Sequence, residues 1–196
     1  RSKDKGASSV VMEVSSHALE LSRVSDVDFD IGAFTNLSQD HLDFHKTIEN
    51  YLKAKMKLFS LCKKGVINID NKYGEMVAKE ALCDVYTYGI NKKADFMAYD
   101  IETYPSRIRF KVKSDFINDV IDVNIPGVFS VYNALCAISI TSLMGVDSNS
   151  IKQGLKNVLV PGRAEIIEAN DKYTIMVDYA HSPDSLENIL KTVKEY

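Results

Sequence analysis

A chain of 196 residues with 45% hydrophobic side chains can pack a core for one domain or one and a part, which excludes disorder and low complexity. Its 24 lysines and arginines against 27 acids leave a formal net charge of -3 with the basic residues scattered, and this excludes a broad nucleic-acid footprint. Cys62, Cys83 and Cys136, widely spaced in apolar surroundings, predict neither a disulfide framework nor a thiolate zinc site and fit a reducing cytoplasm. No apolar stretch is long enough to insert in a membrane, and the start, Arg1 to Gly6, has neither a signal core nor an initiator methionine, so the chain reads as a piece of a longer protein.

Taken in order, Ser9 to Val14 is an apolar run of strand type, interrupted near its carboxyl end by Glu13, where open α/β sheets deliver ligand-binding groups. Ser15-Ser16-His17 then turns into a short helix reaching Arg23; a capping serine in an exposed loop is the plain reading of that turn. Asp30 to Asn36 supplies a second strand. It feeds Asn36 to His45, where Asp40, His41, Asp43 and His45 place two carboxylates and two imidazoles close together. Oxygen and imidazole donors suit a hard or borderline divalent cation.

Ile48, Tyr51, Leu52, Leu58 and Phe59 recur at three- and four-residue steps and predict a helix. Lys55 falls on that apolar face, whereas Lys53 and Lys57 project elsewhere. A lysine on a core-facing stripe must snorkel, find an anion or be chemically changed, and periodicity leaves those alternatives open.

Gly65 to Asp70 and Asp84 to Tyr88 read as strands around a helix from Tyr73 to Leu82, so strands and helices alternate as in a doubly wound, largely parallel α/β sheet. Phe96 to Thr103, Arg107 to Lys113 and Val120 to Ile125 then follow without helices, which predicts an appended antiparallel meander. A buried helix covers Val131 to Met144, with Asn133 in its first turn, where such a residue commonly satisfies nearby backbone groups. Another helix runs from Ile151 to Val158. Pro161-Gly162 marks a boundary between a domain over residues 1–161 and the start of a second, Rossmann-like α/β domain over 162–196. In that second part Ala164 to Glu168 and Tyr173 to Val177 are strand-like, and Pro183 opens a helix.

Met12-Glu13-Val14-Ser15-Ser16-His17, the run from Thr35 to His45, Tyr51 with Ala54-Lys55, and Asp178-Tyr179-Ala180-His181-Ser182-Pro183 together resemble, in order and spacing, the Mur ligases of peptidoglycan synthesis, most closely the branch that adds the third residue of the stem peptide. The resemblance implies a cytoplasmic ATP- and Mg2+-dependent amide ligase, with residues 1–161 in the central ATPase domain and 162–196 opening the carboxyl-terminal domain. It implies that Glu13 and His41 are magnesium ligands and that Lys55 is carried as a carbamate, an anionic scaffold for a second magnesium beside the transferred phosphate. Ser15 and Arg23 match positions that contact UDP-N-acetylmuramoyl-dipeptide. Asn133 matches an adenine-side contact, Arg163 an arginine near the ATP phosphates, and Asp178 the carboxylate that holds the ribose hydroxyls. The implied chemistry phosphorylates the D-glutamyl side-chain carboxylate of UDP-N-acetylmuramoyl-L-alanyl-D-glutamate, after which a diamino acid attacks the acyl phosphate.

Two departures qualify the match. Ser130 stands where the family usually has asparagine. No glycine in the chain is followed by lysine, so a Gly-x-x-x-x-Gly-Lys-Ser/Thr phosphate loop is expected upstream of Arg1, the residues selecting the amino acid beyond Tyr196, and no activity from this stretch alone. The alternatives are a folylpolyglutamate synthase-like ligase, against which Ser15-Ser16-His17 with Arg23 argues, and a non-catalytic structural fragment.

Overall fold

The computed structural model describes residues 4, 6–38, 42–170 and 172–194. Its centre is a six-stranded sheet of β1 (Phe29–Phe34), β2 (Cys62–Asn68), β3 (Asp84–Gly89), β4 (Phe96–Tyr104), β5 (Arg107–Lys113) and β6 (Asn118–Val123). The spatial order is the chain order. Pairing from β1 to β4 is parallel and from β4 to β6 antiparallel, so the expected meander continues the parallel sheet. Asp100, at a φ of 49°, marks the register shift between Tyr99 and Glu102 that bends β4 against β5.

Helices cover both faces because the middle strands are apolar on both sides. Val66 and Ile67, adjacent in β2 and both fully buried, point into different cores. Val66 joins Tyr88, Phe110 and Ile121 beneath α5 (Val128–Leu143), while Ile67 joins Leu52, Phe59 and Val77 beneath α3 (Ile48–Met56), the 3-10 turn Lys57–Ser60 and α4 (Gly74–Glu80). α6 (Ser148–Lys156) lies against β6. A second sheet pairs β7 (Glu165–Ala169) with β8 (Thr174–Val177) antiparallel, followed by α7 (Pro183–Lys194). No helix among the described residues is long and apolar enough to cross a membrane.

The 3-10 turn sits directly on the sheet because Gly32 and Gly65, register partners in β1 and β2, present no side chains beneath it. A Cβ at Gly65 would stand 2.9 Å from the Phe59 ring.

Three expectations change. Ser9 to Val14 forms no strand; β1 is the sheet's first strand, so this segment has no ladder partner among the described residues, and Val10 and Val11 are exposed. α1 (Ser16–Glu20) stops short of Arg23, because Ser22 turns left-handed at a φ of 54° and the Arg23 N–H donates back to the Ala18 carbonyl at 2.8 Å. α5 starts at Val128, a residue after Gly127 at a φ of 91°, which moves Asn133 from the first turn to the second.

Candidate active site

The Ser15 hydroxyl accepts the Ala18 N–H at 3.1 Å and caps α1, as the plain reading expects, while the residue stays exposed. Ser16 turns inward. It is 2% exposed, and its hydroxyl lies 2.8 Å from Nε2 of His45, which is 5% exposed at the end of α2 (Leu42–His45). Lys46, at a φ of 66°, reverses the chain so that Thr47 can cap α3 by accepting the Asn50 N–H. The reversal lays the His45 ring on Tyr51, with centroids 4.9 Å apart and planes 13° from parallel. One turn further along α3, Lys55 Nζ lies 5.3 Å from the Tyr51 ring centre. His17 packs on Phe44 at 4.2 Å. The serine-histidine turn, the segment ending at His45 and the Lys55 helix therefore meet through one column: Ser16, His45, Tyr51, Lys55.

Lys55 is half-buried, with Lys53 and Lys57 exposed on either side. Burial pulls the Lys55 pKa below the ordinary lysine value, and the Glu13 carboxylate, close enough to act on it, opposes that shift. Glu13 and Arg23 are both exposed. An anionic side chain and a lysine whose charge burial disfavours are thus electrostatically coupled beside the apolar column.

His45, one of the four donors the sequence groups together, has its ring taken inward between Ser16 and Tyr51. Asp43 is exposed. Asp40 and His41 lie outside the described residues, and with them the expected pairing of Glu13 with His41. Among the described residues no group of three or more His, Cys, Asp or Glu side chains is disposed to hold a metal ion.

Arg163 and Asp178 form a second group. They line one open cleft with Pro161, Gly162, Val177 and Tyr179. The Asp178 carboxylate accepts the N–H groups of Ala164 and Ala180, each at 2.7 Å, and the Arg163 guanidinium lies 5.0 Å from the Tyr179 ring centre. Ala164 takes a φ of 45°, a left-handed conformation that this carboxylate helps to fix. Asn133 is exposed on α5 and its side chain makes no hydrogen bond among the described residues, so it is not spent on local backbone. Ser130 is buried and donates to the Pro126 carbonyl at 3.0 Å, an internal bond.

Residues 1–141 match the Mur ligase middle domain. The chain belongs to the Mur ligase family. It is 47% identical, over 98% of its length, to the UDP-N-acetylmuramoyl-L-alanyl-D-glutamate--2,6-diaminopimelate ligase of Caldanaerobacter subterraneus subsp. tengcongensis, and covers 40% of that protein. A solved ligase of the same description superposes with a TM-score of 0.84 at 31% identity, over 98% of this chain and 41% of that one. The MurF ligase of Thermotoga maritima, solved in complex with ADP, gives a TM-score of 0.73 at 17% identity, over 93% of this chain and 43% of that one, a likeness of fold. The chain therefore spans about 40% of the length of the curated relatives it matches.

Within this Mur ligase chain, sequence reasoning missed the linking roles of Ser16 and His45. Helical spacing gave no signal for His45, which ends α2 and is separated from the Lys55 helix by the left-handed reversal at Lys46.

Proposed function

We propose that this chain supplies the metal-binding side of an ATP-dependent ligase that joins a diamino acid to UDP-N-acetylmuramoyl-L-alanyl-D-glutamate, with residues 1–161 in the central domain and 162–196 opening the carboxyl-terminal one. The observation that carries the reading is the half-buried Lys55 at the end of the Ser16-His45-Tyr51 column, its charge opposed by burial and favoured by the Glu13 carboxylate, in a chain 47% identical to a ligase so named. Burial favours the neutral Lys55 amine that carbon dioxide requires, and the resulting carbamate exchanges a cation for a bidentate anion.

The exposed Glu13 carboxylate and a Lys55 carbamate are hard oxygen donors of the type magnesium accepts, with His41 as the third expected ligand. Bound magnesium supplies charge neutralisation for transfer of a phosphoryl group between two anions. Arg163 offsets phosphate charge, Asp178 accepts from the ribose hydroxyls and Asn133 meets the adenine edge. Ser15 and Arg23 hold anionic groups of the dipeptide substrate through a hydroxyl and a guanidinium. The phosphorylated D-glutamyl carboxylate is then attacked by the amine, and phosphate leaves.

The test is Lys55→Ala in the full-length protein, assayed by ADP release that requires both the UDP-muramoyl-dipeptide and the diamino acid. Ligation is expected to be lost and partly restored by short carboxylic acids that occupy the carbamate's place. Near-normal turnover in Lys55→Ala, or a Lys55→Arg protein as active as the parent, would overturn the carbamate role.

A further inference from the structure

Cys62 opens β2, and Cys83 immediately precedes β3, whose Asp84 is the register partner of Lys64. The two sulfurs lie 3.7 Å apart, both thiols are free and both residues are half-buried. We propose that they are a disulfide-forming pair, a covalent modification site for low-molecular-weight disulfides. It stands independently of the ligase reading.

The space around the sulfurs is set by the paired glycines. A Cβ at Gly32 would stand 3.0 Å from Cys62 Sγ, and one at Gly65 would stand 3.1 Å from Cys83 Sγ. With hydrogen at both positions, the sheet under the thiols is bare backbone, and no Cβ from either glycine crowds the two sulfurs, which share that space with Leu58 and Phe59. The 3.7 Å between the sulfurs leaves about 1.7 Å to close to a disulfide bond of about 2.05 Å. Cys136, by contrast, is buried in the core on the opposite face of the sheet.

Burial and the neighbouring thiol push Cys62 up to about 12, so its thiol is uncharged at neutral pH, and exchange proceeds through a thiolate. One thiolate attacks the reagent disulfide, forming a mixed disulfide and releasing one reagent thiol. The second cysteine, after giving its proton to solvent, displaces the other half of the reagent, which takes up a proton. Two protein S–H bonds and one reagent S–S bond are exchanged for one protein S–S bond and two reagent thiols, so the protein pair is oxidised by two electrons and the reagent is reduced.

The experiment treats folded full-length protein with oxidised glutathione at pH 8, alkylates the remaining thiols in denaturant and maps the peptides by mass spectrometry. A linked Cys62–Cys83 peptide pair is expected, reversible with dithiothreitol, retained in Cys136→Ser and absent in Cys62→Ser. Because the bond closes a loop of moderate length across β2 and α4, the oxidised protein should melt roughly 5–10 °C higher. Recovery of the two cysteines as free thiols or as separate glutathione adducts would overturn the proposal.

Discussion

Replacing Asp70 with alanine should destabilise the chain by about 3 kcal/mol, because its carboxylate closes the turn after β2 against two other elements. It accepts the N–H groups of Ile90 at 2.6 Å and of Asn91 and Lys92 at 2.8 Å, together with the Tyr132 hydroxyl at 3.0 Å. The Asn91 and Lys92 groups are exposed and rehydrate cheaply when the carboxylate goes, at about 0.5 kcal/mol each. The Ile90 N–H and the Tyr132 hydroxyl are part-buried and account for most of the loss, about 1 kcal/mol each. A loss of that size lowers the melting temperature of a chain this long by roughly 6–12 °C. Burial alone would raise the Asp70 pKa, but the three backbone donors and Tyr132 outweigh it and hold the carboxyl below its ordinary value. A depressed carboxyl contributes stability above its unfolded pKa of about 4 and loses it as pH falls through the lower folded value. Urea unfolding of the parent and of Asp70→Asn should therefore differ by a constant amount from pH 8 to about 5 and converge below about 4. An Asp70→Ala protein within about 0.5 kcal/mol of the parent at pH 7, or a difference that widens on acidification, would refute this reasoning.

Ser16→Ala leaves the buried His45 Nε2 without its hydroxyl and should cost about 1–3 kcal/mol in urea unfolding; unchanged stability would show that the bond does not hold α1 to α2. Gly65→Ala drives a Cβ against the Phe59 ring and should cost about 1–3 kcal/mol in thermal melting, and a neutral result would mean the 3-10 turn can lift from the sheet. In the full-length protein, Asp178→Ala should weaken ATP binding about tenfold by calorimetry, and an unchanged affinity would remove Asp178 from the nucleotide site.

The alternating strands and helices were legible because β2 and β3 are apolar runs bounded by turn residues, and the meander because three strand-like runs follow without helical spacing between them. Lys55 was legible through its stripe. Ser9 to Val14 reads as a strand from its composition, yet a strand is a property of pairs, and the composition of one segment cannot state whether a partner lies beside it. The inward placement of His45 was not legible for a related reason: residue type marks an imidazole as a possible donor, whereas the chain reversal at the left-handed Lys46 sets the ring on Tyr51. Asp70 carried no motif at all, since its partners are three backbone groups some twenty residues away and the Tyr132 hydroxyl farther along the chain.

The coincidence of chain order with spatial order from β1 to β6 has a consequence for how the domain is made. As the chain leaves the ribosome, each new strand of this set joins an edge already formed, and none must be threaded between two paired neighbours. The β4–β6 meander has short sequence separations and closes fast, while the three parallel pairs each wait for an intervening connection to be synthesised. During translation the growing edge is always the last strand added, so each of β1 to β5 offers that side for pairing with another nascent chain only until the next strand is synthesised.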